Sequence, residues 1–279
     1  MLKSLASFVR NRWHPLWRLR KSSLFRRFQN RVDRTVYTRL PDTGLNVAVR
    51  FLRDASLIAN PALFEPEVRT AFALVLQSLN PAAFWDVGAN IGFYTWLVRR
   101  HPSIRQVVMF EPDPTNFSLI GETIRKNAIS DVRALNVALS DHTGEASFLL
   151  DRASGAAGSL ESISHRENNL SLHHAYALNE TITCHTATID GLIAEGIPAP
   201  QFIKIDVEGA EHLVLAGAEN CLARHHPVMI IETSNRALVR RLRDSGYTAF
   251  RIDAGNLLFI ATAGARNLEP IRQSFAAYV

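Results

Sequence analysis

The stretch that decides the fold is Ala83-Phe-Trp-Asp-Val-Gly-Ala-Asn-Ile-Gly92, which leads into Phe93-Tyr-Thr-Trp-Leu-Val98. A short apolar run comes first, a glycine-containing turn follows, and the next residues suit a helix. Ligands of open α/β sheets bind beyond the carboxyl ends of the strands, at turns of this kind. The stretch therefore predicts a buried strand over 83–87, a ligand-binding turn, and a helix over 93–100.

The same alternation continues toward the C-terminus. Further strands are predicted at 106–110, 132–137, 202–206 and 228–232, with helices at 115–128, from 210, and from the end of the last of these strands through 243. Residues 247–252 and 257–261 are typical of a terminal antiparallel pair. Strands that alternate with helices of this length predict a doubly wound α/β domain, with a mostly parallel sheet and helices on both faces.

Four segments are expected: a basic amphipathic arm (1–34), an N-terminal hairpin and helix (35–80), the α/β domain (81–265) and a C-terminal tail (266–279). Within the α/β domain, residues 152–180 form an insertion rich in Ser, Gly, Asn and His. Additional strands are expected on either side of it, at 145–150 and 181–187. A long polar insertion in a compact domain is typical of a substrate lid or a disordered loop.

Charge separates the arm from the body. The chain carries a formal charge of +5, but residues 1–34 alone carry +9, so the remainder carries −4. An acidic body counts against nucleic acid as the partner. The arm fits two alternatives, an anionic membrane surface or packing on the domain. Two isolated cysteines and no long apolar run favour a cytoplasmic setting, with peripheral attachment to the inner membrane face under the first alternative. The oligomeric state is left open.

The turn after the first strand distinguishes between two cofactor classes. Gly88 allows a sharp turn and close approach of a ligand, and Gly92 allows close contact between helix and sheet. A dinucleotide site has a glycine at the position that Asn90 occupies, so that a pyrophosphate can approach the backbone. Asn90 therefore disfavours NAD, whereas S-adenosylmethionine has no phosphate and does not require that glycine.

Two acidic residues complete the candidate cofactor site. Asp86 can accept a hydrogen bond from the amino group of a methionine moiety. Glu111 ends the second strand, 25 residues after Asp86, where a carboxylate can accept hydrogen bonds from both ribose hydroxyls. The structural alternative for Glu111 is a cap on the turn before Pro112.

The segment Phe202-Ile-Lys-Ile-Asp-Val-Glu-Gly-Ala-Glu211 carries the candidate chemistry. Lys204 lies inside an apolar strand, which is unfavourable unless the charge is paired. Strand geometry places Lys204 and Asp206 on one face. With Glu208 they converge at the carboxyl end of the fourth strand, where ionisable clusters are candidates for a site. The alternative is an internal Lys–Asp pair that braces the sheet.

Five motifs occur in one order: Asp86 to Gly92, Phe110-Glu-Pro112, Asn136-Val-Ala-Leu-Ser-Asp141, Lys204 to Gly209 with Glu211, and Ile231-Glu232. With them the chain resembles the FkbM family of S-adenosylmethionine-dependent methyltransferases over about residues 60–262. The resemblance implies a Rossmann-like seven-stranded sheet and methylation of hydroxyl groups, often on sugars or natural products. It also implies that residues 136–140 lie beside the adenine. The predicted cofactor-binding residues are Asp86, Gly88, Ala89, Asn90, Gly92, Glu111, Asn136 and Ala138.

The sequence thus predicts an S-adenosylmethionine-dependent O-methyltransferase that acts on a sugar, glycoconjugate or natural product. Asp206 and Glu208 are the candidate bases, Lys204 tunes them, and Glu232 orients the acceptor. Asp206, Glu232 and Asn235 are too few oxygen ligands to favour a divalent metal, although they do not exclude one. The alternatives are an NAD-dependent oxidoreductase and a non-catalytic membrane-associated scaffold that keeps the fold.

Overall fold

The structure is a computed structural model, and it describes residues 32–41, 43–59, 61, 64–151, 158–160, 179–262 and 269–278. The predictions for most of the basic arm and for most of the polar insertion lie outside the described residues. The first stretch of the predicted C-terminal tail does so as well.

The strands are β1 (Thr35–Arg39), β2 (Asn46–Arg50), β3 (Ala83–Val87), β4 (Gln106–Phe110), β5 (Val132–Leu135), β6 (Ala138–Leu139), β7 (Gly144–Asp151), β8 (Ser159–Leu160), β9 (Asn179–Ala187), β10 (Phe202–Ile205), β11 (Val228–Glu232), β12 (Tyr247–Arg251) and β13 (Asn256–Ala261). The helices are α1 (Ala55–Ala59), α2 (Pro66–Leu79), α3 (Phe93–Val98), α4 (Pro114–Lys126), α5 (Ile189–Ala194), α6 (Glu211–Ala216), α7 (Glu219–His225), α8 (Arg236–Asp244) and α9 (Glu269–Ser274). Within these ranges, no helix combines the length and the apolar character needed to cross a bilayer.

Seven strands form the main sheet, in the order β12-β13-β11-β10-β3-β4-β5. The strands from β11 to β5 pair in parallel, and β13 pairs antiparallel with both of its neighbours. The predicted α/β class and the terminal antiparallel pair are therefore confirmed. β3 lies in the middle of the five parallel strands, paired with β10 on one side and β4 on the other, so the turns that follow these three strands meet at one edge.

Helices cover both faces of this sheet, and each strand contributes side chains to the cores on both faces. Phe84 packs with Phe72 of α2 and Trp96 of α3 in one core. Trp85, the next residue of β3, packs in a second core that includes Val214 of α6 and Leu238 of α8. Because successive side chains of a strand point to opposite faces, a central strand without polar alternation is buried on both sides.

A second sheet, in the order β6-β9-β7-β8, stands apart from the main one. The predicted strands on either side of the polar insertion exist, and they pair with each other antiparallel along their whole length. β8 comes from the insertion itself and pairs Leu160 with Phe148. The sequence did not predict this sheet as a unit, because its strands pair across the insertion.

The helix expected from residue 210 is interrupted, and α6 and α7 replace it. Gly217 lies at the break, and a Cβ on this residue would stand 2.1 Å from the carbonyl oxygen of Ser140. The Gly217 carbonyl accepts a hydrogen bond from the Asp190 amide, and the Asp190 side chain accepts from the Cys221 amide at the start of α7. Contacts with distant chain segments therefore end the first helix and begin the next.

The N-terminal hairpin β1–β2 packs on α4 and shares the core of the main sheet. Val47 and Val49 are fully buried with the side chains of α2 and α3. The Ala48 amide donates to Thr123 Oγ1 at 2.9 Å, and this hydroxyl donates to the Leu119 carbonyl at 2.9 Å. One buried hydroxyl thus joins the hairpin to the helix.

We expect Thr123→Val to destabilise the protein by about 1–3 kcal/mol, because it keeps the shape of the side chain but leaves the buried Ala48 amide without its acceptor. Thr70→Val is the matched control, since the Thr70 hydroxyl bonds within α2 at an exposed position; there the change should stay within about 0.5 kcal/mol. Urea unfolding midpoints of the two variants measure the difference. Equal midpoints would show that this hydroxyl does not hold the hairpin.

Candidate functional site

The turn between β3 and α3 has three residues in the left-handed region: Gly88 (φ 77°), Asn90 (φ 54°) and Gly92 (φ 83°). A Cβ on residue 88 would stand 1.9 Å from the Asp206 carbonyl oxygen. A Cβ on residue 92 would press at 2.7 Å on the Trp96 ring and on Met109. Gly88 therefore lets the first turn touch the end of β10, and Gly92 lets α3 pack closely on the sheet.

Glu111 joins this turn to the turn after β4. Its carboxylate is buried, with Oε2 accepting from the Asn90 amide at 2.7 Å and Oε1 accepting from the Asp113 amide at 2.9 Å. Burial raises the pKa of Glu111 to about 8, although these amides favour the ionised form. The side chain therefore holds both turns, as the capping alternative requires, and it also lines the pocket described next.

A pocket opens at the carboxyl edge of the sheet between the turns after β3, β4 and β10. Its polar side includes Asn90, Glu111 and Asp113. Its apolar side is formed by Phe110, Val137, Ala138, Leu139, Phe148 and Leu160. Asp206 and Glu208 lie along its remaining wall. The predicted residues Gly88, Asn90, Glu111, Ala138, Asp206 and Glu208 are thus brought to a single pocket.

Part of the polar insertion contributes to the apolar side of this pocket. Gly158 lies against Phe148, and a Cβ there would stand 2.8 Å from the phenyl ring. Leu160 follows in β8 and is buried. The described part of the insertion therefore forms a wall of the pocket, which the sequence did not predict.

Asn136 has a different place from the one expected. Its Nδ2 donates to the Glu111 carbonyl at 2.7 Å and to the Pro112 carbonyl at 3.1 Å. The residues that line the pocket in this segment are the next three, Val137 to Leu139. The Asn136 side chain therefore fixes the backbone around Glu111. It is not among the residues that line the pocket.

Asp86 lies beneath the first turn. Its Oδ2 accepts from the Thr95 amide at 3.0 Å and from the Thr95 hydroxyl at 2.8 Å, and burial raises its pKa to about 6. Asp86, Ala89 and Gly92 do not line the pocket. The contact of Asp86 with a cofactor amino group stays a prediction, whereas its bonds to Thr95 join β3 to α3.

Lys204 is a buried cation at the end of β10, with 1% of its side chain exposed. Its Nζ donates to Asp206 Oδ2 at 3.2 Å and to Asn256 Oδ1 at 3.4 Å, and it lies 5.7 Å from the centre of the Tyr94 ring. Burial lowers the pKa of Lys204, but Asp206 and other nearby carboxylates outweigh burial, so the net shift is upward. The ammonium form is therefore the stable one.

The acidic residues around this cation differ in exposure. The Asp206 side chain is 28% exposed. Glu208 adopts a left-handed conformation (φ 50°) just before Gly209, and Glu211 closes that turn by accepting from the Gly209 amide at 2.8 Å. Glu232 is exposed at the end of β11, and the neighbouring Asp206 carboxylate raises its pKa to about 8. The structure thus brings together Lys204 and Asp206, as strand alternation predicted, and sets Glu232 beside Asp206.

Sequence reasoning missed four residues of this cluster. Tyr94 and Glu65 form a hydrogen bond in which the tyrosine hydroxyl donates to the carboxylate. Asn256 accepts from Lys204 and donates through Nδ2 to both oxygens of Asp253, at 3.3 and 3.2 Å. A lysine in an apolar strand indicates that partners must exist, but all four residues lie 49 or more positions away along the chain, so spacing did not identify them.

In the described portion of the chain, no group of three or more His, Cys, Asp or Glu side chains is arranged to hold a metal ion.

We expect Gly88→Ala to destabilise the protein strongly, by about 3 kcal/mol or more, because the methyl group would overlap the Asp206 carbonyl. Gly246→Ala is the control: Gly246 also has a positive φ (88°), but a Cβ there meets nothing within 4 Å. It should cost only the backbone strain, about 1–2 kcal/mol. Thermal unfolding compares the two variants. A similar loss of stability in both variants would show that residue 88 does not lie against the Asp206 carbonyl.

Comparison with known proteins agrees with the motifs. A family model for the methyltransferase FkbM domain matches residues 86–248. The chain is 31% identical over 139 residues to the hexuronic acid methyltransferase AglP of Haloferax volcanii, which covers 50% of each protein. It is 30% identical over 165 residues to the 2-O-methyltransferase NoeI of Sinorhizobium fredii, which covers 57% of this chain and 65% of that protein.

Among solved structures, the chain is similar to the methyltransferase FkbM from Methylobacillus flagellatus, with a TM-score of 0.45 and 19% identity over 65% of this chain and 44% of that one. The chain spans about half the length of the first curated relative and 65% of the second. The family match covers more than half of the present chain. The protein belongs to the FkbM methyltransferase domain family, as its motifs predicted.

Proposed function

We propose that this protein is an S-adenosylmethionine-dependent O-methyltransferase and that its acceptor is a hydroxyl group of a sugar or glycoconjugate. The observation that carries the proposal is that Asp206 lies at once on the wall of the Glu111 pocket and against the buried Lys204. A cofactor pocket and an ionisable cluster thus share one residue. Membership of the family supports methyl transfer, and a hexuronic acid in one relative's name and a 2-O position in the other's support a sugar hydroxyl.

The pocket suits the cofactor in both polarity and shape. Glu111 is fixed by two amides, and a carboxylate has further lone pairs with which to accept from a ribose diol. The apolar wall of Val137, Leu139 and Phe148 suits a flat heteroaromatic ring. Asn90 replaces the glycine that a pyrophosphate would need, which agrees with a ligand that has no phosphate. When bound, S-adenosylmethionine supplies a methyl group activated on a sulfonium.

The residues around Lys204 supply the acid–base chemistry. A sugar hydroxyl must lose its proton as the new bond forms, and a positioned base accelerates that step. Asp206 is the proposed base, because it lines the pocket and its side chain is partly exposed while Lys204 holds Oδ2. Glu208 lines the same wall and is the second candidate. Glu232, whose pKa is about 8, can orient the acceptor through a hydrogen bond, as a donor while it is protonated and as an acceptor once it is ionised.

The cofactor proposal makes a prediction about pH. The pKa of Glu111 is about 8 in the free protein, and the ionised form is the better acceptor for ribose hydroxyls. A ligand that needs this ionised form must displace a proton below pH 8, so affinity for S-adenosylhomocysteine should rise between pH 6 and 8, by at most about tenfold per unit, and level off above.

Calorimetric titrations with S-adenosylhomocysteine measure this slope, and Glu111→Gln is the control that should remove it. NAD should bind both the wild-type protein and Glu111→Gln more weakly than S-adenosylhomocysteine binds the wild-type protein. Tighter binding of NAD would reject the cofactor assignment, and an unchanged pH slope in Glu111→Gln would reject the ribose contact.

The catalytic proposal is tested with Asp206→Asn, which preserves shape and removes most of the basicity. Transfer in a single turnover to methyl glycosides of common hexoses should fall by about 10²–10⁴-fold. Affinity for S-adenosylhomocysteine should change much less, because its proposed anchor is Glu111. Asp244→Asn, at an exposed position at the end of α8, is the charge-matched control. Near-normal transfer by Asp206→Asn would reject its role as the base.

A further inference from the structure

The acceptor side of the proposed site is strongly acidic. The carboxylates of Glu65, Glu232 and Asp253 are electrostatically coupled to the Asp206–Lys204 pair or to each other, and they lie outside the lining of the Glu111 pocket. The cation coupled to them in the described part of the chain is Lys204. An acceptor that reaches Asp206 therefore approaches a cluster rich in carboxylates.

Lys204 is placed so that it cannot compensate for an anionic acceptor. Only 1% of its side chain is exposed, and its ammonium is already bonded to Asp206 and Asn256 under the Tyr94 ring. A carboxylate on the substrate could not form an ion pair with it without breaking those contacts. The residues that the acceptor can reach are the partly exposed Asp206 and the exposed Glu232.

Glu65 adds an acid that family membership does not explain, because it precedes the matched residues 86–248. It caps the start of α2 in a left-handed conformation (φ 42°, ψ 60°), and the Tyr94 hydroxyl donates to it. Its side chain is half-buried and therefore held in place. Burial raises the pKa of Glu65, the Tyr94 hydrogen bond and Lys204 lower it, and the Asp206 and Asp253 carboxylates raise it again, so that the net shift is upward.

We propose that the acceptor is a sugar without a carboxylate, an uncharged or amino sugar, and that Glu65 is a specificity-determining residue that disfavours uronic acids. Sugar hydroxyls can donate hydrogen bonds to carboxylates, whereas a uronate would bring a like charge into a partly desolvated cluster. This inference rests on the proposed function and narrows its substrate class; it separates the acceptor of this chain from the hexuronic acid that the name of one relative specifies.

The experiment compares two acceptors that differ only at C6, methyl β-glucoside and methyl β-glucuronide, with radiolabelled S-adenosylmethionine above pH 8, where Glu232 is ionised. Wild-type protein should methylate the glucoside faster. Glu65→Gln should narrow the ratio of the two rates by about three- to thirtyfold, as expected for removing one charge from the cluster around Lys204. Glu67→Gln is the matched control, since Glu67 is exposed on the same helical turn, and it should leave the ratio unchanged.

Each outcome has a separate meaning. Equal or faster methylation of the glucuronide by wild-type protein overturns the selectivity and leaves the proposed function standing. A preserved ratio in a folded Glu65→Gln variant overturns the role of Glu65; if that variant does not fold, Glu232→Gln must narrow the ratio instead. Methylation of neither glycoside overturns sugar O-methylation itself, and the selectivity with it.

Discussion

Contact between the backbone of Gly88 and the carbonyl of Asp206 is the constraint on which the site depends. It brings the turn after β3 against the end of β10, at the centre of a sheet whose strands end at one edge. The same contact sets the Glu111 pocket beside the acidic cluster. A side chain at residue 88 would push the two turns apart, and under the proposed function the methyl donor and the base would then lose the alignment that in-line transfer requires.

The ionisable residues around this contact have two kinds of role. Asp86 and Glu111 are buried and bonded to backbone amides, so they fix the positions of α3 and of the second turn. Asp206 and Glu232 reach solvent and are free of such constraints on the side that an acceptor would approach. Lys204 interacts with residues of both kinds, since it lies near the buried Asp86 and donates to Asp206. A buried cation is stable only while carboxylates surround it. Its pairing with Asp206 satisfies both the functional interpretation and the bracing alternative.

Local pattern was sufficient to predict the parts that local sequence controls. The bounds of β3, β4 and β11 match those expected, and the shared face of Lys204 and Asp206 follows from strand alternation. Parts set by distant contacts were not predictable: the second sheet closes across an insertion, Gly217 interrupts a helix against Ser140, and Glu65 meets Tyr94 only because α2 packs on α3. Asn136 is a further example. Its motif contributes to the family resemblance, but the direction of its side chain is set by the carbonyl groups of Glu111 and Pro112, about 25 residues earlier in the chain.

We propose that the pocket bounded by Glu111 and Asp206 holds the methyl donor and presents it to the acidic cluster. A crystal structure of the protein with S-adenosylhomocysteine would test this arrangement. The ribose hydroxyls should contact the Glu111 carboxylate, the adenine should lie against the Val137–Leu139 segment, and the sulfur should face Asp206. A ligand bound elsewhere, or bound here with its sulfur directed away from Asp206, would show that the arrangement is wrong.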